Sequence, residues 1–363
     1  MFEASNTPYV TIDLDQADQN MRRTISALGE AGISYRPQVR THRSLYFAQR
    51  QLSFGAQGIT ATKLAEAEVM AAGGIDDIFI AHPVIGGAKL RRLGDLMRMA
   101  KITTLVNSIS CASGLSLLGQ RIGVRIPVLI DLDGGLNLGG AQPLKPARGF
   151  AAALRSLGGI EPIGLLYSGA PLLPDAGPDE LVMQAEAARA ALLETAALLR
   201  QDGHAMNMLS VSSPYFARFP RALAGIREAI EGDSLFGDRR YVQRGRMIRE
   251  MDCALRVHAT VVALPSESHA VLDVGSKTLS AAEYEHVPGY GHVVGRFDWS
   301  IPQLHEEHAL LKSVVPHRLN IGDRLQIVPN ACAATVNLQN ILIGMRGGKP
   351  ERLIQVDARG KDQ

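Results

Sequence analysis

Tyr35-Arg36-Pro37-Gln38-Val39-Arg40-Thr41-His42-Arg43-Ser44 is the stretch on which the fold turns. It places three arginines and a histidine within eight residues, where a short β-rich run gives way to a helix-like one. In parallel α/β folds the carboxyl end of a strand gathers the ligand-handling side chains. Two readings are open for such a run: a solvated basic turn ahead of a surface helix, or one wall of a site that handles an anion. No acidic residue occurs from Ser34 to Ala48. Arg40 and Arg43 therefore call for an anionic ligand, unless the fold brings a carboxylate from elsewhere.

Outward from this stretch the chain repeats one unit, a short apolar or β-branched run followed by a longer helix-like one. The strand-like runs are Ser34–Arg40, Gly58–Thr62, Asp77–Ala81, Ile102–Val106, Pro127–Asp131, Pro162–Leu166, Met208–Ser212 and Asp233–Phe236. Between them lie alanine- and leucine-rich stretches, of which Asp179–Gln201 is plainly helical in pattern. Eight alternations in about two hundred residues predict a (β/α)8 TIM barrel, with a doubly wound sheet as the competing arrangement. Upstream, Pro8–Leu14 reads as a strand, and Asp15 as the N-cap of a helix reaching about Gly29. From Ala254 the text changes to strand-like segments broken by Gly, Pro and Ser, which predicts a second, mostly β domain.

The 363 residues suit one large barrel plus a smaller domain. With 46% hydrophobic and 20% charged residues the composition is that of a soluble globular protein. A formal charge of +2 gives no argument for nucleic acid or an acidic membrane surface. Cys111, Cys253 and Cys332 lie far apart without CxxC spacing, which argues against a disulfide framework or zinc cluster and suits a reducing cytosol. No run approaches the ~20 apolar residues of a membrane helix, and no secretory signal is visible, so a cytoplasmic protein is expected.

The stretch Arg36–Ser44 resembles the lysine-bearing strand of the D-threonine aldolase/D-serine dehydratase family, fold-type III pyridoxal-phosphate proteins related to alanine racemase. That family typically writes Arg-Pro-His-x-Lys-Thr-His-Lys here, and its first lysine forms the imine with the cofactor. The likeness continues through Thr7-Pro8 with Asp13, Gly58–Glu68 (GITATKLAEAE), Asp133-Gly134-Gly135-Leu136-Asn137, Asp273-Val274-Gly275-Ser276-Lys277, Glu306-Glu307-His308 and Thr335-Val336-Asn337-Leu338. It implies an alanine-racemase-like barrel over 15–250, and a β domain over 251–363 that includes residues 1–14. It also implies a homodimer, with Glu306–His308 reaching the partner's pocket.

The chain departs from the pattern at several places. Arg40 stands for the lysine, and a guanidinium is neither neutral nor nucleophilic. Gln38 replaces a histidine, Leu138 replaces an arginine, and Ala170 replaces the histidine after Tyr167-Ser168-Gly169. The phosphate turn reads Ser210-Val211-Ser212-Ser213-Pro214-Tyr215, and a Gly-x-Tyr has become Arg239-Arg240-Tyr241. The metal-binding pair falls on Ala331 and Ala333, with Cys332 between them as a lone thiol. The expectation at this point is a site without cofactor, holding pyridoxal phosphate at most non-covalently, and without metal at the family position.

Within that frame His42, Arg40 and Tyr167 are the catalytic candidates: an acid–base imidazole, a cation and an oxyanion donor. Arg43, Ser212, Ser213, Arg239, Tyr241 and His308 are candidates for binding a small anionic substrate. Each has a structural alternative, from a hydrogen-bonded core histidine to a packed tyrosine. His258 and His292 carry no pattern of their own. Lys63, at the start of a helix-like run, is the one other lysine placed near the ligand end, and Lys277 looks structural. Three functions fit these residues. One is a lyase or epimerase acting on a small hydroxy- or keto-carboxylate without a Schiff base. The second is a pyridoxal-phosphate-dependent D-amino-acid aldolase or dehydratase that uses another lysine. The third is a non-catalytic protein that binds a small anion or pyridoxal phosphate.

Overall fold

Eight parallel strands curl around one axis in the computed structural model, which describes residues 6–169, 177–244, 247–284 and 287–363. The chain begins with β1 (Tyr9–Asp13) and α1 (Leu14–Glu30). It then alternates β2 (Ser34–Pro37), α2 (Leu45–Ser53), β3 (Ile59–Ala61), α3 (Leu64–Ala72), β4 (Asp77–Ile80), α4 (Gly87–Leu96), β5 (Lys101–Val106) and α5 (Ile109–Ile122). The second half adds β6 (Ile126–Asp133), α6 (Lys145–Leu154), β7 (Ile160–Ser168), α7 (Pro178–Gln201), β8 (Met208–Ser212) and β9 (Glu228–Glu231). The sheet order is β2-β9-β8-β7-β6-β5-β4-β3. One Gln38–Thr60 bridge joins its two ends, so the barrel is nearly closed.

Side-chain alternation builds two layers from each strand. Outward-facing Ile78 and Ile80 of β4, or Val128 and Ile130 of β6, pack against the ring of helices. Their inward neighbours Phe79 and Leu129 join Leu105, Leu166 and Ile230 in a small core on the axis. At the barrel floor the axis is charged: Arg36 bonds Glu228 at 2.6 Å and Asp77 at 2.7 Å, and Ser210 donates to Glu228 at 2.9 Å.

Two sequence-based boundaries move. The first helix is capped by Asp13, which accepts the Gln16 amide at 3.0 Å; Asp15 instead pairs with Arg346 at 2.7 Å. The eighth barrel strand is Glu228–Glu231 rather than Asp233–Phe236, whose first residues form a 3-10 turn. Two glutamates disguise that strand, one turned to Arg36 and the other accepting the Ser234 amide.

After the barrel come β10 (Leu255–Ser266), β11 (His269–Leu272), α8 (Ser276–Leu279), β12 (His292–Val293), β13 (Trp299–Leu304), β14 (Ala309–Ser313), β15 (Arg324–Val328), α9 (Cys332–Asn337), β16 (Ile341–Arg346) and β17 (Lys349–Gln355). β1 lies inside this mostly antiparallel sheet, antiparallel to β10 and parallel to β16. The last residues return to the barrel. Arg43 bonds Asn337 and Asp362, each at 2.6 Å, Asp357 accepts the Leu45 amide at 2.8 Å, and the Gln363 carbonyl accepts the Ala65 amide at 3.0 Å. Among the described residues no helix is long and apolar enough to cross a membrane.

Candidate active site

β6 is long enough to carry two inward carboxylates past the apolar core, Asp131 and Asp133. They play different parts. Asp133 is engaged by the loop that follows: its Oδ1 accepts the amides of Gly135 (3.0 Å) and Asn137 (3.2 Å), and its Oδ2 accepts Gln142 Nε2 at 3.0 Å. Asp131 is only 6% exposed, and its recorded side-chain partner is the Ser168 hydroxyl, donating at 2.5 Å. Burial, offset only in part by that hydroxyl, raises its carboxyl from the ordinary 3.8 to about 7. A carboxyl so placed holds a proton or gives it up near neutral pH.

Facing the same space is Arg40. The chain leaves β2 through a 3-10 turn at Val39–Thr41, which swings this side chain to the barrel mouth. Its Nε donates to Gln38 Oε1 at 2.9 Å and its Nη2 to Asp233 Oδ2 at 3.2 Å. Among the described residues Nη1 has no partner, and the side chain is 32% exposed. Asp233 is shared with Arg240 (2.9 Å) and the Thr41 hydroxyl (2.8 Å). Burial alone would raise the Asp233 carboxyl, but the two guanidiniums hold it down to about 2. Arg240 also pairs with Asp238 at 2.8 Å and lies over the Tyr284 ring.

Arg40 and Asp131 bound a cavity of about 300 Å³ at the carboxyl ends of the strands, with Gln38, Ser168, Ser212 and Leu138 among its other walls. Glu231 borders it as well, and burial raises that carboxyl to about 7. A cleft of about 400 Å³ lies on the outer face of the C-terminal sheet. There His258 is bonded to Thr11 at 2.9 Å and stacked on Tyr9, and the Arg256 guanidinium donates to carbonyls. The mouth is where unpaired titratable groups collect.

Of the residues singled out from sequence, Arg40, Ser212 and Ser213 line this cavity and the others do not. His42 is fully buried: the Ser44 amide donates to Nδ1 at 3.0 Å, and Nε2 bonds Gln51 Oε1 at 3.1 Å. Burial lowers its pKa to about 4, so the imidazole stays neutral with both nitrogens engaged. Arg43 is neutralised by Glu66 (3.1 Å) and Asp362 (2.6 Å), carboxylates from distant parts of the chain. The argument that an anion must join Arg40 and Arg43 is thus corrected, because the fold supplies acids that the local sequence lacks.

Tyr167 packs outward against the helices, and it is its neighbour Ser168 that turns inward. Arg239 is buried among neutral acceptors, donating to the carbonyls of Pro288 (2.9 Å) and Gly289 (3.0 Å) and to Asn330 Oδ1 (3.1 Å). Tyr241 is fully buried and donates to the Pro214 carbonyl. His308 lies exposed on the turn between β13 and β14. His292 bonds Glu250 at 2.5 Å, and Lys277 pairs with Glu307 at 2.7 Å on the surface. Lys63 sits just past β3, its amine 3.0 Å from His82 Nε2. Ala170 lies outside the described residues. Sequence reasoning passed over Asp131 and Ser168, although an Asp-x-Asp at period 2 on a strand end, followed by Gly134-Gly135, was a signal for the first.

The residues a metal would require are not gathered here: among the described residues no three His, Cys, Asp or Glu side chains are arranged to hold one. Cys332 is buried, and that burial pushes its thiol well above the ordinary value.

Residues 12–228 match the family model of the alanine racemase N-terminal domain, and residues 254–345 match that of a putative serine dehydratase domain. A D-threonine aldolase from Arthrobacter sp. is 30% identical over 98% of this chain and 93% of its own. The crystal structure of D-threonine aldolase from Filomicrobium marinum superposes with a TM-score of 0.89 at 27% identity, covering 99% of this chain and 97% of that one. A mutant D-threo-3-hydroxyaspartate dehydratase from Delftia sp. HT23, solved in the metal-free form, gives a TM-score of 0.87 at 26% identity, over 97% of each chain. These end-to-end relatives overturn the expectation of a site without pyridoxal phosphate and without metal. Both cofactors belong to enzymes of this kind, and the substitutions at Arg40, Ala331 and Ala333 do not by themselves establish their loss.

Proposed function

Because the chain belongs to the D-threonine aldolase/D-serine dehydratase family with its alanine-racemase-like fold, we propose that it is a lyase that works at the barrel mouth on a small D-3-hydroxy amino acid or related hydroxy-carboxylate. Asp131 is the observation that carries this reading. A carboxyl poised near neutrality faces a cavity of about 300 Å³ whose opposite wall offers the unpartnered Nη1 of Arg40. In this reading Arg40 grips the substrate carboxylate, and the Ser168 hydroxyl orients Asp131. Asp131 takes the proton from, or returns it to, the 3-hydroxyl as the neighbouring bond breaks.

Pyridoxal phosphate, when bound, supplies an electron sink beside the amino carbon. Arg40 makes no imine, whereas the hydroxyls of Ser212 and Ser213 are donors suited to the anionic end of such a group. A second reading keeps an amine for the cofactor at Lys63, whose Nζ is held by His82 just past β3. The test is an assay of D-threonine and D-3-hydroxyaspartate with pyridoxal phosphate and a divalent metal both supplied, followed by borohydride trapping and peptide mapping. Cleavage is expected. Label on Lys63 favours the second reading, and no cleavage of any D-3-hydroxy amino acid under these conditions overturns both.

A further inference from the structure

We propose that the apolar rim of the mouth cavity selects a substrate with an apolar 3-substituent, and that Leu138 is the side chain that seats it. The proposal rests on the lyase reading above and adds the class of side chain the substrate carries.

Leu138 is 82% exposed, yet it borders the cavity together with Leu136. Nothing in the loop depends on it. The loop is pinned through its backbone by the Asp133 carboxylate, by Gln142, and by the bridge between Leu132 and Ala141. Leu138 stands between two residues in the left-handed region, Asn137 (φ 54°) and Gly139 (φ 112°). A Cβ on Gly139 would come within 2.8 Å of Asn107 Nδ2, so the backbone there runs hard against its neighbour. The leucine is therefore held out on a fixed support and cannot collapse into the core. Leu136 lies across Gly169, where a Cβ would come within 2.2 Å of its Cδ1.

The cavity is thus divided. Arg40, Asp131, Ser168 and Ser212 present charge and hydroxyls on one side, and two leucines form the other. A substrate whose head group meets the polar wall directs its 3-substituent at the leucines. An aryl or branched alkyl group there removes apolar surface of both partners from water. A second carboxylate would be desolvated without a donor. The sorting is by polarity, since the volume admits either.

Equilibrium titration with non-cleavable 2-hydroxy acids reads this independently of turnover. The expected result is that 3-phenyllactate binds at least about tenfold more tightly than malate. Leu138→Ser should lower the phenyllactate affinity about tenfold and leave that of lactate, too short to reach the rim, unchanged. Malate binding as tightly as phenyllactate, a selectivity ratio untouched by Leu138→Ser, or no binding of either acid overturns the proposal. Selectivity without any turnover sinks the lyase reading and leaves this one standing; turnover without selectivity does the reverse.

Discussion

At the floor of the barrel, Arg36 lies between Glu228 at 2.6 Å and Asp77 at 2.7 Å, and Ser210 donates to Glu228 at 2.9 Å. At the mouth, two layers up the same axis, Asp131 has the Ser168 hydroxyl, and no cation among the described residues bonds it. Both clusters are polar groups inside a barrel, but only the floor is balanced. A paired buried charge holds its protonation state and fixes geometry, while an unpaired carboxyl gives up stability and becomes able to exchange a proton. The contrast separates groups that hold the fold from groups available for chemistry, and it can be attacked from either end.

The largest effect is expected at the floor. Arg36→Leu leaves Glu228 buried without its cation, and chemical denaturation should show a loss on the order of 3–5 kcal/mol. A loss under 1 kcal/mol would mean that the floor is no more balanced than the mouth.

Asp131→Asn reverses the picture. Its kcat should fall about a hundredfold or more, while stability at pH 8 rises by about 2 kcal/mol. The sign follows from the shift. The carboxyl, ordinarily at 3.8, binds its proton more tightly when folded, at about 7. The wild type is therefore relatively most stable below pH 4 and loses that advantage as pH climbs through 7. Melting curves of the two proteins should converge near pH 4 and separate by pH 8. Curves that stay parallel would place Asp131 among the ordinary solvated carboxylates.

The smallest change is expected at His308→Ala. The side chain is exposed on the β13–β14 turn of one subunit, so stability of the chain should stay within about 0.5 kcal/mol. A tenfold rise in KM with unchanged melting would show that the residue completes a neighbouring copy's mouth.

How far these regions could be read beforehand depended on where each residue's partner lies. The barrel was legible because eight strand–helix alternations repeat the burial pattern of its two layers, as in the outward Ile78 and Ile80 beside the inward Phe79. The eighth strand was not, because Glu228 and Glu231 look like surface residues until Arg36 and Ser234 are brought beside them. Arg40 was legible by position, but the Asp233 that holds it is 193 residues away. His42 looked like a free imidazole, since no local pattern announces the enclosure by Gln51 and the Ser44 amide. Asp131 was passed over because its importance comes from what is missing around it, and only packed coordinates reveal a missing partner.

The clasp between Arg43 and the final residues has a consequence for the order in which the molecule is made. The bond from Arg43 to Asp362 spans 319 positions, and the one to Asn337 spans 294. The turn that carries Arg40 is therefore buttressed by residues that emerge from the ribosome last. Until they arrive, the first βα units of the barrel wait with the Glu66 carboxylate and the Arg43 guanidinium half-enclosed. Contacts of such separation close slowly. The mouth reaches its working shape only when synthesis of the whole chain is finished, whichever of its helices has formed before.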